Sequence, residues 1–112
     1  MIINNKQFET LDKIKVDEFL KRVSGFLEQQ FDNELLKQKL NGSILTDFIL
    51  KNYFLSKNFR LTKEDSIAAY ILLSLLNGEH FLDTRKFSIY KYYMNRSDYD
   101  PNVYIFNIPS LS

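Results

Sequence analysis

His80 is the only histidine, and it directly follows Glu79. A catalytic triad or a metal site would need it to find partners from distant segments that carry no supporting motif. It reads as a loop histidine. The adjacent carboxylates Glu64 and Asp65 stand side by side, whereas hydrolytic acid/base work needs two carboxyls facing each other across a cleft. Their place after Thr62 suits the positive end of a helix dipole instead. Gly25, Gly42 and Gly78 are isolated, and none precedes a Lys-Ser or Lys-Thr pair, so no phosphate-cradling loop can be built. The absence of cysteine removes thiol nucleophiles, thiolate metal sites and disulfide frameworks together. The expectation is a protein that is not an enzyme and has no catalytic residue, cofactor or metal.

The run Arg85-Lys86-Phe87-Ser88-Ile89-Tyr90-Lys91-Tyr92-Tyr93-Met94-Asn95-Arg96 interleaves bases with aromatics. On a helical wheel Phe87, Tyr90 and Met94 form one stripe and Ile89 and Tyr93 a second, an apolar arc wider than one core face needs. Tyrosine and arginine are enriched at binding hot spots, since they bury a large area and keep a polar handle. We therefore take Phe87, Tyr90, Tyr92, Tyr93, Arg96, Tyr99 and Tyr104 as candidate partner-binding residues. Two other readings stand beside this one. The helix can spend its aromatics on the core, or the bases and rings can neutralise and stack single-stranded nucleic acid.

Those residues belong to a chain of 112 residues, the size of one domain, and we expect a single domain over 1–112. A hydrophobic fraction of 45% with 26% charged residues predicts folding throughout. The net charge of +1 supplies no global field toward nucleic acid or an anionic membrane. Met1 to Gln7 lacks the long apolar core of a signal peptide. The richest apolar stretch, Ile67 to Leu76, is about half the length needed to cross a bilayer. Cytoplasmic residence without a membrane partner is the expectation.

The spacing of apolar residues predicts an all-α fold, a bundle of five or six helices. Phe19, Leu20, Val23, Phe26, Leu27 and Phe31 recur at threes and fours from Val16, with Leu35, Leu36 and Leu40 continuing to a stop at Asn41-Gly42. Ser43 is then placed to cap a helix carrying Ile44, Leu45, Phe48, Ile49 and Tyr53. Thr62 is placed to cap a central helix, apolar nearly all round, that ends at Asn77-Gly78. A further long helix is predicted over Thr84 to Asn95. Asp100-Pro101 has the form of a cap followed by a first-turn proline. Val103-Tyr104-Ile105-Phe106 is β-branched and aromatic, so a short strand near residues 103–107, paired with Ile2-Ile3, competes with a helix there.

With these segments in order, the chain resembles the small helical accessory proteins encoded beside spike and toxin genes of bacterial type VI secretion systems. The likeness runs over most of the length. It is carried by Ile3 and Gln7-Phe8, by Glu18-Phe19 with Arg22, by Phe59-Arg60-Leu61-Thr62-Lys63-Glu64, by Ile67, Tyr70 and Leu73, and by Gly78-Glu79-His80-Phe81. Arg60 stands where those proteins usually have glycine, which puts the tight turn before Thr62 in question. The resemblance implies a non-catalytic adaptor or co-chaperone that helps load a toxin onto the spike. Its partner would be the toxin, the toxin's chaperone or the spike protein. An immunity protein that neutralises a cognate toxin in its own cell is the alternative. Immunity proteins often present a strongly charged face to plug an active site, and this near-neutral chain shows none, which favours the adaptor. A small nucleic-acid-binding regulator built on the basic aromatic helix is the third reading.

Overall fold

In the computed structural model, which describes residues 5–110 and their side chains from residue 15 onward, every regular element among those residues is helical. Helix α1 spans Asn5–Gln30 and buries Phe19, Val23 and Leu27, one residue per turn along a single face. Phe26, which the spacing assigned to that face, is exposed. Asp32 breaks the helix and starts α2, Asn33–Leu40, its carboxylate accepting from the Leu35 amide at 2.7 Å. The chain closes α2 as expected, with Asn41 in the left-handed conformation at φ 49° and Gly42 following at φ 88°.

Helix α3, Leu45–Ser56, buries Phe48 and Ile49. Its cap differs from expectation. Ile44 occupies the cap position with no side-chain bond, and the Ser43 amide instead donates back to the Leu40 carbonyl at 3.0 Å. Ile44 itself is exposed, because it precedes the first turn rather than sitting on the helix face. After a 3-10 turn over Lys57–Phe59, Arg60 takes φ 62°.

Helix α4, Glu64–Asn77, is the central element, with Ile67, Tyr70, Ile71, Leu73 and Leu75 buried and Gly78 ending it at φ 99°. Thr62 does not cap it: Lys63 holds that position, again without a side-chain bond. The Thr62 and Lys63 amides both donate to Oδ1 of Asn102, at 2.9 and 3.0 Å. The start of α4 is thus held by a side chain 40 residues away in sequence.

The predicted helix over Thr84 to Asn95 is shorter. Two 3-10 turns, Phe81–Asp83 and Arg85–Phe87, precede α5, Ser88–Met94. Helix α6, Pro101–Tyr104, starts where expected, the Asp100 side chain accepting from the Asn102 amide at 2.9 Å, and runs into a 3-10 turn over Ile105–Asn107. This replaces the competing strand near 103–107. With the Asp100 cap made and Pro101 fixing a helical φ, the amides of Val103 and Tyr104 both turn back to the Asp100 carbonyl, and β propensity loses to that local start. Ile2 and Ile3 lie outside the described residues.

The core runs from α1 and α2 through α3 and α4 to Phe81, Leu82, Phe87, Met94, Ile105 and Ile108. The molecule is only 19 Å across its thinnest direction, about two helix diameters, so the outer helices present one face to the core and one to solvent, while α4 is covered along most of its length. That geometry decides which aromatics become surface.

Candidate protein-interaction surface

The residues screened for chemistry find structural partners. His80 is exposed at φ 59°, with Nδ1 3.7 Å from the Asp83 carboxylate, which also receives Lys91 Nζ at 2.6 Å. The Lys91 bond holds the Asp83 carboxyl below the usual carboxylate range. Glu64 pairs with Arg22 of α1 at 2.8 Å, and Asp65 accepts from the Ser66 amide. Among the described residues no group of three or more histidine, aspartate or glutamate side chains is placed to hold a metal ion.

The aromatic region divides between core and surface. Phe87 is 3% exposed and packs edge-on against Phe81 at 5.3 Å, so it leaves the candidate surface. Its stripe, shared with Met94, faces the Phe81 turn, and Phe81 in turn packs on Tyr70 of α4. Tyr90 is half-buried beside Phe87 at 5.8 Å and belongs to the boundary.

The remaining candidates are brought together. Tyr92 and Tyr93 of α5, Tyr99 of the following loop and Tyr104 of α6 form a connected set of rings. Tyr93 lies at its centre, 5.3 Å from Tyr92, 5.3 Å from Tyr99 and 5.6 Å from Tyr104. Tyr92 is 58% exposed and Tyr99 42% exposed, whereas Tyr93 and Tyr104 are half-buried beneath them. Burial first, then the neighbouring phenols, pushes the Tyr104 hydroxyl up from its ordinary value.

Arg96 locks this cluster from above. Its guanidinium lies over both Tyr92 and Tyr99, 5.6 and 5.4 Å from the ring centres, and donates twice to the Asp98 carboxylate at 2.8 and 2.6 Å. Each partner stabilises the other's charge, so Asp98 titrates lower and Arg96 higher than free side chains.

No family model, curated protein or solved structure matches the chain. The surface is therefore read from its own residues.

Three contributors lay outside the candidate set. Ile89, Val103 and Phe106 are all exposed on α5 and on the α6 segment that packs against it. Val103 and Phe106 stand three apart on the side away from buried Ile105, a spacing visible in sequence once a helix is assumed there. Arg60, outside these three, supports the cluster from beneath. Its guanidinium donates to the Met94 and Arg96 carbonyls, at 3.1 and 2.9 Å, and so satisfies the C-terminal end of α5 just where the cluster begins. The left-handed backbone at Arg60 is the conformation a glycine there would take easily; arginine takes it and gains these two bonds.

A second apolar site lies between α1 and α3, a groove of about 640 Å³ lined by Val16, Phe19, Leu50, Tyr53, Phe54 and Ile67. Leu50 and Phe54, four apart and both exposed, are its outer wall. No helix among the described residues is long and apolar enough to cross a membrane.

Proposed function

We propose that this chain is a non-catalytic protein-binding accessory whose contact surface is the tyrosine and arginine cluster of α5 and α6. The observation that carries the reading is Tyr92 and Tyr99, large rings held outward by Arg96 on a half-buried base of Tyr93 and Tyr104. Rings already fixed by their neighbours lose little conformational freedom on docking, which is what makes rigid tyrosine an economical contact residue. The resemblance to accessory proteins of type VI secretion supplies the context, an adaptor or co-chaperone for a toxin, located in the cytoplasm. Neutralisation of that toxin as an immunity protein is the second reading, since both roles need a stoichiometric protein contact.

Affinity capture from the source cell tests the role, with a toxin, its chaperone or a spike protein as the expected prey. Co-expression separates the two readings. An adaptor leaves a cytosolic toxin lethal in cells that lack the secretion apparatus, and rescue there would replace it with the immunity role.

A further inference from the structure

The segment 84–96 contains Arg85, Lys86, Lys91 and Arg96 and no aspartate or glutamate, so +4 of a net charge of +1 sits in it, leaving −3 for the rest of the chain. Near-neutrality overall conceals a basic stripe. Arg85, Ser88, Lys91, Tyr92, Asn95 and Arg96 line a shallow trough of about 650 Å³ along the outer face of α5. Lys91 and Arg96 are paired, with Asp83 and Asp98. Arg85 and the neighbouring Lys86 are exposed and form no ion pair among the described residues.

We infer that this trough receives an extended acidic segment of the partner protein, its carboxylates against Arg85 in the trough and Lys86 beside it. The inference rests on the protein-binding reading above. Helix α5, Ser88–Met94, is roughly 10 Å long at helical rise, the span of about three extended residues. Along the trough Tyr92 offers apolar contact, while Ser88 and Asn95 can bond a peptide backbone.

Nucleic acid fits this face less well. The guanidinium of Arg96 occupies one face of each of the two exposed rings, Tyr92 and Tyr99, where a base would stack.

Fluorescence anisotropy with a short labelled peptide of alternating glutamate and valine tests the inference, against a glutamine-valine control and an oligothymidine of matched charge. The glutamate peptide is expected to bind at least about tenfold more tightly than the glutamine peptide, and the preference should shrink as salt rises. Arg85→Glu with Lys86→Glu should abolish the preference while leaving the thermal melt unchanged. Arg85→Gln with Lys86→Gln, which adds no new charge, should weaken it. Equal affinity for the two peptides, binding of neither, or a preference that survives both double variants would overturn the inference. Tighter binding of oligothymidine would assign the face to nucleic acid. The two levels fail separately: if a captured toxin, chaperone or spike protein is retained equally by the Arg85→Glu, Lys86→Glu protein, the binder reading stands and the acidic segment falls. Capture of no such partner removes the reading beneath it.

Discussion

At the scale of residues, Tyr92 and Tyr93 are neighbours in sequence with different duties. Tyr92 is mostly exposed and touches Tyr93 and Arg96, so Tyr92→Ala should weaken partner binding by about tenfold, the size of a hot-spot loss, with little change in melting temperature. Tyr93 packs on three other tyrosines, and Tyr93→Ala should cost about 2 kcal/mol of stability in denaturant titrations. Comparable stability losses in the two variants would show that Tyr92 also belongs to the core. A third tyrosine, Tyr70, titrates in a useful range. Burial pushes its phenol from 10.0 up to about 12, with the Ser74 hydroxyl opposing and the Asp83 and Glu79 carboxylates adding to the rise. The folded chain therefore holds this proton more tightly than the unfolded chain does. The stability it contributes is complete below pH 10.0 and is lost as pH climbs toward about 12. Urea unfolding across that window should show a shallower alkaline decline in Tyr70→Phe than in the parent, and identical slopes would mean that the phenol is not the group responsible.

At the scale of elements, two side chains hold the aromatic face in place. Asn102 joins α6 to the start of α4. It accepts from the Thr62 and Lys63 amides, donates to the Thr62 hydroxyl and the Asp100 carboxylate, and gives its own carbonyl to Ser66. Asn102→Ala strands two backbone amides, and calorimetry should register a loss of about 2–3 kcal/mol. Arg60→Gly sets two effects against each other. Relief of the left-handed backbone gains about 1 kcal/mol, whereas losing charged bonds to the Met94 and Arg96 carbonyls costs about 3 kcal/mol, so net destabilisation is expected. A variant more stable than the parent would show that strain at Arg60 outweighs its grip on α5. These two residues also mark where sequence was readable and where it was not. The helices were legible because Phe19, Val23 and Leu27, or Ile67, Tyr70 and Ile71, repeat at helical spacing. The Asp100-Pro101 start was legible because cap and proline are adjacent. The caps assigned to Ser43 and Thr62 were not made, since a local hydroxyl is visible in sequence and a distant amide such as Asn102 is not. Phe87 was misplaced for a related reason: a helical wheel shows two apolar stripes on α5, and only the packing of Phe81 decides which one is covered.

At the scale of the whole molecule, the thin slab leaves, besides Phe26, Leu35 and Ile44, two groups of exposed apolar residues that cannot be ranked by hydrophobicity alone. One region holds Leu50 and Phe54 beside the α1–α3 groove, and the other holds Ile89, Tyr92, Tyr99, Val103 and Phe106. Charge separates them. The groove has Lys15 and Lys57 beside Asp17 and Glu64, opposite signs that largely cancel, and Glu64 is already tied to Arg22. The α5 face carries basic residues in excess and rings fixed by a cation, so it can both steer an acidic partner and hold it. Hydrogen exchange of the complex with a captured partner should therefore slow the amides of residues 85–106 and leave those of residues 45–56 near their free rates. Because α6 is tied through Asn102 to the start of α4, weaker protection should reach Thr62 and Lys63 without any direct contact there. Strong protection confined to α3 would move the binding surface to the groove and make the tyrosine cluster a structural cover over Met94 and Ile105.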